Sequence, residues 1–285
     1  MSSALGRLAL AAALFAGLAL ARAQADAGKG EYLAKAGGCV GCHTDTRPGA
    51  PRFAGGREIA TPFGKFFGPN ITPDPGAGIG RWSEADFITV MRFGLRPDGS
   101  QSFPAFPYAS FTKITDADLK DLYAYLRSIP ASSQPSKPHE LRFPYGLRFL
   151  VRFWKWLYFV PGPFVPDPAR SAVLNRGAYL VDALGHCGEC HTPRNFLGGP
   201  KQSRYLAGGR LLEGRTANLT PSRLKRWNDA QLAQFLRTGA TPEGDVPADA
   251  MDEVIRNTTS QLSPPDLAAL IAYLRSLTAL ADEPR

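Results

Sequence analysis

Cys39-Val40-Gly41-Cys42-His43 and Cys187-Gly188-Glu189-Cys190-His191 use all four cysteines of the chain and decide what it must fold around. In each stretch two thiols three residues apart are followed by an imidazole, the spacing of a c-type haem attachment site. The thiols add to the porphyrin vinyl groups and the histidine becomes an axial iron ligand. Two covalently bound haem c groups are therefore expected, attached through Cys39, Cys42, Cys187 and Cys190 with His43 and His191 on the irons. A structural zinc site needs four nitrogen or sulfur ligands. Each stretch supplies three, and only His139 and His186 lie outside them. A thioredoxin-like cysteine pair would sit in a strand-rich βαβ context, and no strand-rich run precedes either stretch.

Around the two motifs the sequence repeats itself at a spacing near 148, the mark of a duplicated unit. Gly30-Glu31-Tyr32-Leu33 matches Gly177-Ala178-Tyr179-Leu180, and Ala54-Gly55-Gly56-Arg57 matches Ala207-Gly208-Gly209-Arg210. Asn70-Ile71-Thr72-Pro73 matches Asn218-Leu219-Thr220-Pro221, and Arg81-Trp82-Ser83 matches Arg226-Trp227-Asn228. Ala124-Tyr125-Leu126-Arg127-Ser128 matches Ala272-Tyr273-Leu274-Arg275-Ser276. Apolar spacing predicts helices over 31–36 and 178–184, then 84–93 capped by Ser83 and 229–237 capped by Asn228. Closing helices follow over 116–129 and 264–277, capped by Thr115 and Ser263. Gly- and Pro-rich loops separate them, so sheet content should be low.

Arg7, the apolar run Leu8–Leu20 and Ala21-Arg22-Ala23 read as a secretory signal peptide over 1–23. At 13 residues the run is short for a membrane span. Export places the chain in the periplasm. Loss of Arg7 and Arg22 lowers the formal charge from +8 to +6, a modest excess that steers acidic partners and anionic surfaces. No Lys/Arg-rich block or recognition motif points to nucleic acid.

The order of N-terminal helix, attachment motif, long loop, middle helix, ligand loop and closing helix resembles class I cytochrome c in both halves. The paired Asn-x-Thr-Pro, Arg-Trp-Ser and Tyr-Leu-Arg-Ser motifs further resemble the cytochrome c subunits of bacterial periplasmic dehydrogenase complexes that oxidise alcohols, sugars or sugar acids. That resemblance covers residues 27–278; better-known members carry three haems and a C-terminal membrane segment, and two motifs are present here. It implies an all-α fold, a tandem pair of class I cytochrome c domains over 24–130 and 173–285. A Pro- and aromatic-rich helical linker over 131–172 would join them.

The sixth iron ligand separates an electron carrier from an enzyme, because an open iron binds small molecules. Beyond the initiator the methionines are Met91 and Met251, one per half. Met251 follows Pro247-Ala248-Asp249-Ala250, where the family's ligand loop lies. In the first half the matching stretch, Pro104-Ala105-Phe106-Pro107-Tyr108, carries phenylalanine where the family has its ligand. Met91, on the middle helix and aligned with Leu236, is the remaining candidate for the first iron. Core packing without ligation is the competing reading for both methionines. His139 and His186 are expected as ordinary surface or linker residues. The carbonyl of Pro48 or Pro51 is a plausible acceptor for the His43 ring. Arg57, Arg81, Trp82, Arg210, Arg226 and Trp227 are candidates for the haem propionates, with solvated surface or core the equal alternative.

Within the linker, Arg148, Arg152 and Lys155 fall on one helical stripe of Tyr145–Val160, and aromatic residues fill the rest. The expected role is packing between the halves. The competing role is lying on a membrane surface or docking a membrane partner. The functional expectation is a periplasmic dihaem carrier that takes single electrons from a dehydrogenase and passes them to a downstream cytochrome or oxidase. The rival is a dihaem redox enzyme of the peroxidase or thiosulfate dehydrogenase type with the first haem as active site. A third class is a haem-binding structural subunit of a larger complex.

Overall fold

The computed structural model describes residues 25–212, 214–245 and 250–282. The signal peptide read over 1–23 and residues Pro247, Ala248 and Asp249 of the second ligand loop lie outside them. The first half runs through α1 (Ala27–Ala36), α2 (Cys39–His43), the hairpin β1 (Glu58–Thr61) and β2 (Gly64–Phe67), α3 (Glu84–Phe93), α4 (Tyr108–Phe111) and α5 (Asp116–Ser128). The connecting stretch holds β3 (Glu140–Leu141) and α6 (Leu150–Tyr158). The second half has α7 (Ala172–Tyr179), α8 (Gly188–His191), β4 (Gly209–Leu211), β5 (Gly214–Thr216), α9 (Pro221–Leu224), α10 (Asp229–Thr238), α11 (Ala250–Asn257) and α12 (Pro264–Ser276).

Local chemistry sets these limits. Ser83 and Asn228 cap α3 and α10 through complete capping boxes with Asp86 and Gln231. Thr115 and Ser263 accept from the N3 amides of α5 and α12. Between Tyr32 and Cys39 there is one residue fewer than between Tyr179 and Cys187. The second half absorbs the insertion as a π-helical turn over Leu180–Leu184 that continues α7.

Low sheet content was expected, and the strands are few, but each half does form a hairpin after its attachment motif. β1 and β2 pair antiparallel with β3 added at the edge, and β4 pairs with β5. Glycine makes both turns: Gly64 and Gly214 have φ of 123° and 146°, which a side chain would oppose. The connecting helix starts at Leu150, five residues later than the apolar run, because Pro144–Phe149 forms turns instead.

Each half crosses its first and closing helices at a glycine. A Cβ on Gly30 would lie 2.0 Å from the Asp121 carbonyl oxygen, and one on Gly177 2.0 Å from that of Ala269. Lys29 then pairs with Asp118 and Asp121 at 2.6 and 2.8 Å, and Arg176 with Asp266 at 2.7 Å. The tyrosine of each Gly-x-Tyr-Leu reaches into the opposite half. Tyr32 donates to Asp266 at 2.5 Å and accepts from the Ser263 amide, while Tyr179 donates to Asp118 at 2.5 Å and accepts from the Thr115 amide. The halves are thus joined by two reciprocal clamps on the N-termini of α5 and α12. One contiguous core runs through both, from Leu33, Leu119 and Leu126 to Leu180, Leu267 and Leu274.

Candidate haem-binding sites

The two attachment motifs are short helices held in the same way. The carbonyls of His43 and His191 accept from the Gly55 and Gly208 amides at 2.8 and 2.9 Å, both glycines at positive φ. The imidazoles are held alike too, each donating: Nδ1 of His43 lies 2.7 Å from the Pro69 carbonyl, and Nδ1 of His191 2.7 Å from that of Ala217. A carbonyl only accepts, so Nδ1 carries the proton and the lone pair sits on Nε2, the nitrogen that would face iron. Burial lowers the pKa of His43 and keeps it neutral, as a ligand must be. The acceptor for His43 is therefore Pro69, not Pro48 or Pro51.

Pro69 and Ala217 each precede an Asn-x-Thr-Pro repeat, and the asparagine explains the motif. Asn70 Oδ1 accepts from the amide and hydroxyl of Thr72 at 2.9 and 2.7 Å, and Asn218 does so from Thr220 at 2.8 and 2.7 Å. The amide end of Asn70 donates to the carbonyls of Ser132 and Gln134, and that of Asn218 to Leu280. Both asparagines are buried. They fix the loop that presents the histidine's acceptor. Their repetition was the available signal, and no ligand role had drawn attention to them.

The four thiols are unpaired with one another. Burial pushes Cys39 and Cys187 up to about 12 and Cys42 up to about 11, so each is a protonated thiol rather than a thiolate. Paired thiols beside an imidazole fixed at Nδ1 fit covalent haem in each half.

Met91 lies buried on α3, eight residues after its N-cap, and Leu236 occupies the same position on α10. Phe106 packs on the same core and meets Phe111 edge-on at 5.6 Å. Met251 opens α11 and is partly buried against the core. Its helix reaches the first motif: Glu253 pairs with Arg57 at 2.6 Å and lies 3.2 Å from where a Gly41 Cβ would be. In return Ser110, on α4, donates to Glu189 of the second motif at 3.0 Å. The segment of each half in which a ligand was expected therefore packs beside the other half's attachment motif.

The remaining candidates divide. Arg57 is committed to Glu253 across the halves. Arg81 and Arg210 are exposed, the Trp82 carbonyl accepts from Tyr123, and Arg226 stacks on buried Trp227 at 4.9 Å. His186 is partly buried between the halves. Its ring meets Phe111 of the first half at 5.3 Å, and burial lowers its pKa. His139 is also partly buried; its Nδ1 accepts from the Phe67 amide, and Phe66 and Phe103 stand around the ring.

The sequence profile of the cytochrome c family matches residues 27–130. A dihaem c-type cytochrome of Cereibacter sphaeroides is 42% identical over 277 residues, covering 94% of this chain and 89% of that protein. The fructose dehydrogenase cytochrome subunit of Gluconobacter japonicus is 41% identical over 259 residues, and this chain spans 53% of it. The cytochrome c subunit of a quinone alcohol dehydrogenase of Gluconacetobacter polyoxogenes is 38% identical over 289 residues, and the chain spans 60% of it. With like settings for both imidazoles and a dihaem relative matched over 89% of its length, the chain belongs to the cytochrome c family.

Proposed function

We propose that this chain is a periplasmic electron carrier with two covalent haem c groups, taking single electrons from a dehydrogenase and passing them to a downstream cytochrome or oxidase. The observation that carries the reading is the duplicated setting of His43 and His191, each fixed through Nδ1 at 2.7 Å. Names of relatives that are cytochrome subunits of fructose and alcohol dehydrogenases support a dehydrogenase as donor. Bound haem supplies one-electron exchange between ferric and ferrous iron. The chain's part is to hold the imidazoles oriented, exclude water with the shared core, and offer Met91 and Met251 as sixth ligands. In this reading 1–23 is a removed signal peptide, 24–130 and 173–285 are the two cytochrome c domains, and 131–172 joins them and touches the membrane.

The mass of the exported protein should exceed that of the processed chain by two haems, and both ferric haems should be low-spin. Reduction by a co-purifying dehydrogenase and reoxidation by a cytochrome or oxidase then tests the route. Phe106 supports a second reading, a redox enzyme acting at the first haem. A high-spin ferric signal from one haem, together with turnover of peroxide or thiosulfate, would establish that reading and sink the carrier.

A further inference from the structure

Helix α6 presents its charges and its apolar side the opposite way from a helix that packs by its aromatics alone. Arg148 donates to the Gln101 carbonyl and lies over the Phe103 ring, and Lys155 donates to the Phe93 carbonyl at the end of α3 and to Gln101 Oε1. Val151, 5% exposed, packs with Phe66 and Phe103, and Trp154 meets Tyr108 edge-on. The inner side is thus fully engaged with the first half. Phe149, Phe153 and Trp156 point away and line an open, shallow recess with Arg152 among them.

Trp156 is 82% exposed, and Phe143 before the helix and Val160 after it are 87% and 85% exposed. Residues 141–166 contain no Asp or Glu, while Arg142 and Arg152 are exposed. The second half extends this surface. Its loop from Cys187 to Ala207 has five more residues than the stretch from Cys39 to Ala54. That loop is seated on α6, with Asn195 donating to the Tyr158 hydroxyl at 3.0 Å, and it exposes Phe196 by 89%.

Large exposed rings around an unopposed guanidinium suit the boundary between headgroups and acyl chains, where rings leave water and the cation meets phosphate. Among the described residues no helix is long and apolar enough to cross a membrane. We infer that the outer face of α6 lies flat on a bilayer surface rich in anionic phospholipid, with Phe149, Phe153 and Trp156 as its apolar insert and Arg152 as its phosphate contact. This deepens the membrane contact of the reading above and rests on the export proposed there. Because α6 is bonded to both halves, insertion would also fix the orientation of the haem domains on the membrane.

The test is co-sedimentation of the purified holoprotein with vesicles of phosphatidylethanolamine and phosphatidylglycerol, beside vesicles of phosphatidylcholine. Binding to the anionic vesicles is expected. It should fall at least about tenfold in the F153S/W156S double variant, given the apolar area each ring removes from water. Arg152→Gln should weaken binding to the anionic vesicles alone. Native haem spectra in all variants will show that the fold is intact, since these side chains are already solvent-facing. Undiminished binding by the double variant, or no binding to anionic vesicles by the unmutated protein, would overturn the inference. So would loss of a co-purifying dehydrogenase from the double variant with vesicle binding unchanged, which would make the face a protein contact. Failure of the carrier reading shows in haem content and redox partners, neither of which this assay measures.

Discussion

Each imidazole depends on one carbonyl, and each carbonyl depends on one buried asparagine. Replacing Asn70 with alanine removes the acceptor for the Thr72 amide and hydroxyl and the donor to two carbonyls. A buried group left unsatisfied costs about 1–3 kcal/mol. Asn70→Ala should therefore lower the unfolding free energy by about that amount and shift the midpoint potential of the first haem while leaving the second in place. Asn218→Ala should do the converse. Equal shifts of both haems in a redox titration would refute a carbonyl-by-carbonyl control. Met91→Leu is a near volume-conserving change in the core, so it should cost less than about 1.5 kcal/mol yet make one haem newly reactive to carbon monoxide. If the unmutated protein already binds carbon monoxide at one haem, Met91 only packs. The attachment residues were legible because thiol and imidazole chemistry fixes their spacing. The Pro69 carbonyl was not, because any residue carries a carbonyl and the contact spans 26 positions. The repeat nevertheless marked its support.

At the level of elements the repeated motifs are bolts between helices. Arg127 of α5 donates to the Gly80 carbonyl, and Arg275 of α12 to those of Leu224 and Trp227, which ties each Tyr-Leu-Arg-Ser to its Arg-Trp motif. Tyr32 and Tyr179 cross between halves, and Tyr179 is the more deeply buried of the two. Tyr179→Phe leaves the Thr115 amide without its acceptor and Asp118 with Lys29 alone, so it should cost about 1–3 kcal/mol, and Tyr32→Phe less. Denaturant unfolding will rank them; a smaller loss for Tyr179→Phe would contradict the clamp. Helices and caps could be read from the sequence because 3.6-residue periodicity and N-cap chemistry are local signals. The hairpins could not, since strands of three or four residues with mixed faces give no alternation to detect. α6 was only half legible: the stripe of Arg148, Arg152 and Lys155 suggested one basic face of a longer helix, but Arg148 falls in the turn before α6, and the first half draws it and Lys155 inward and leaves Arg152 outside.

Two domains of ordinary size would each have a core, yet the described core is continuous, and the tyrosine bridges at its waist are paired across the halves. The whole chain should accordingly unfold in one transition, with far-UV and haem-region signals coincident. Acid should weaken this joint. Burial alone would raise the pKa of Asp266, but hydrogen bonds from Arg176 and Tyr32 outweigh it and hold the carboxyl below its usual range. Asp121 is likewise held down against burial by Lys29 and the Asp26 amide. A carboxyl whose folded pKa is depressed gives stability that is fully present above its unfolded pKa and is lost as pH falls through the folded value. The unfolding midpoint should thus be flat from neutral pH to the ordinary carboxylate range and drop below it. Asp266→Asn removes the Arg176 ion pair at every pH, so it should lower stability at neutral pH and shrink the acid-dependent drop, bringing the two proteins closer in strong acid. Thermal unfolding of both from neutral to strongly acid pH measures this directly. Parallel curves for Asp266→Asn and the unmutated protein would mean that the clamp between α1, α7 and α12 carries none of the acid sensitivity.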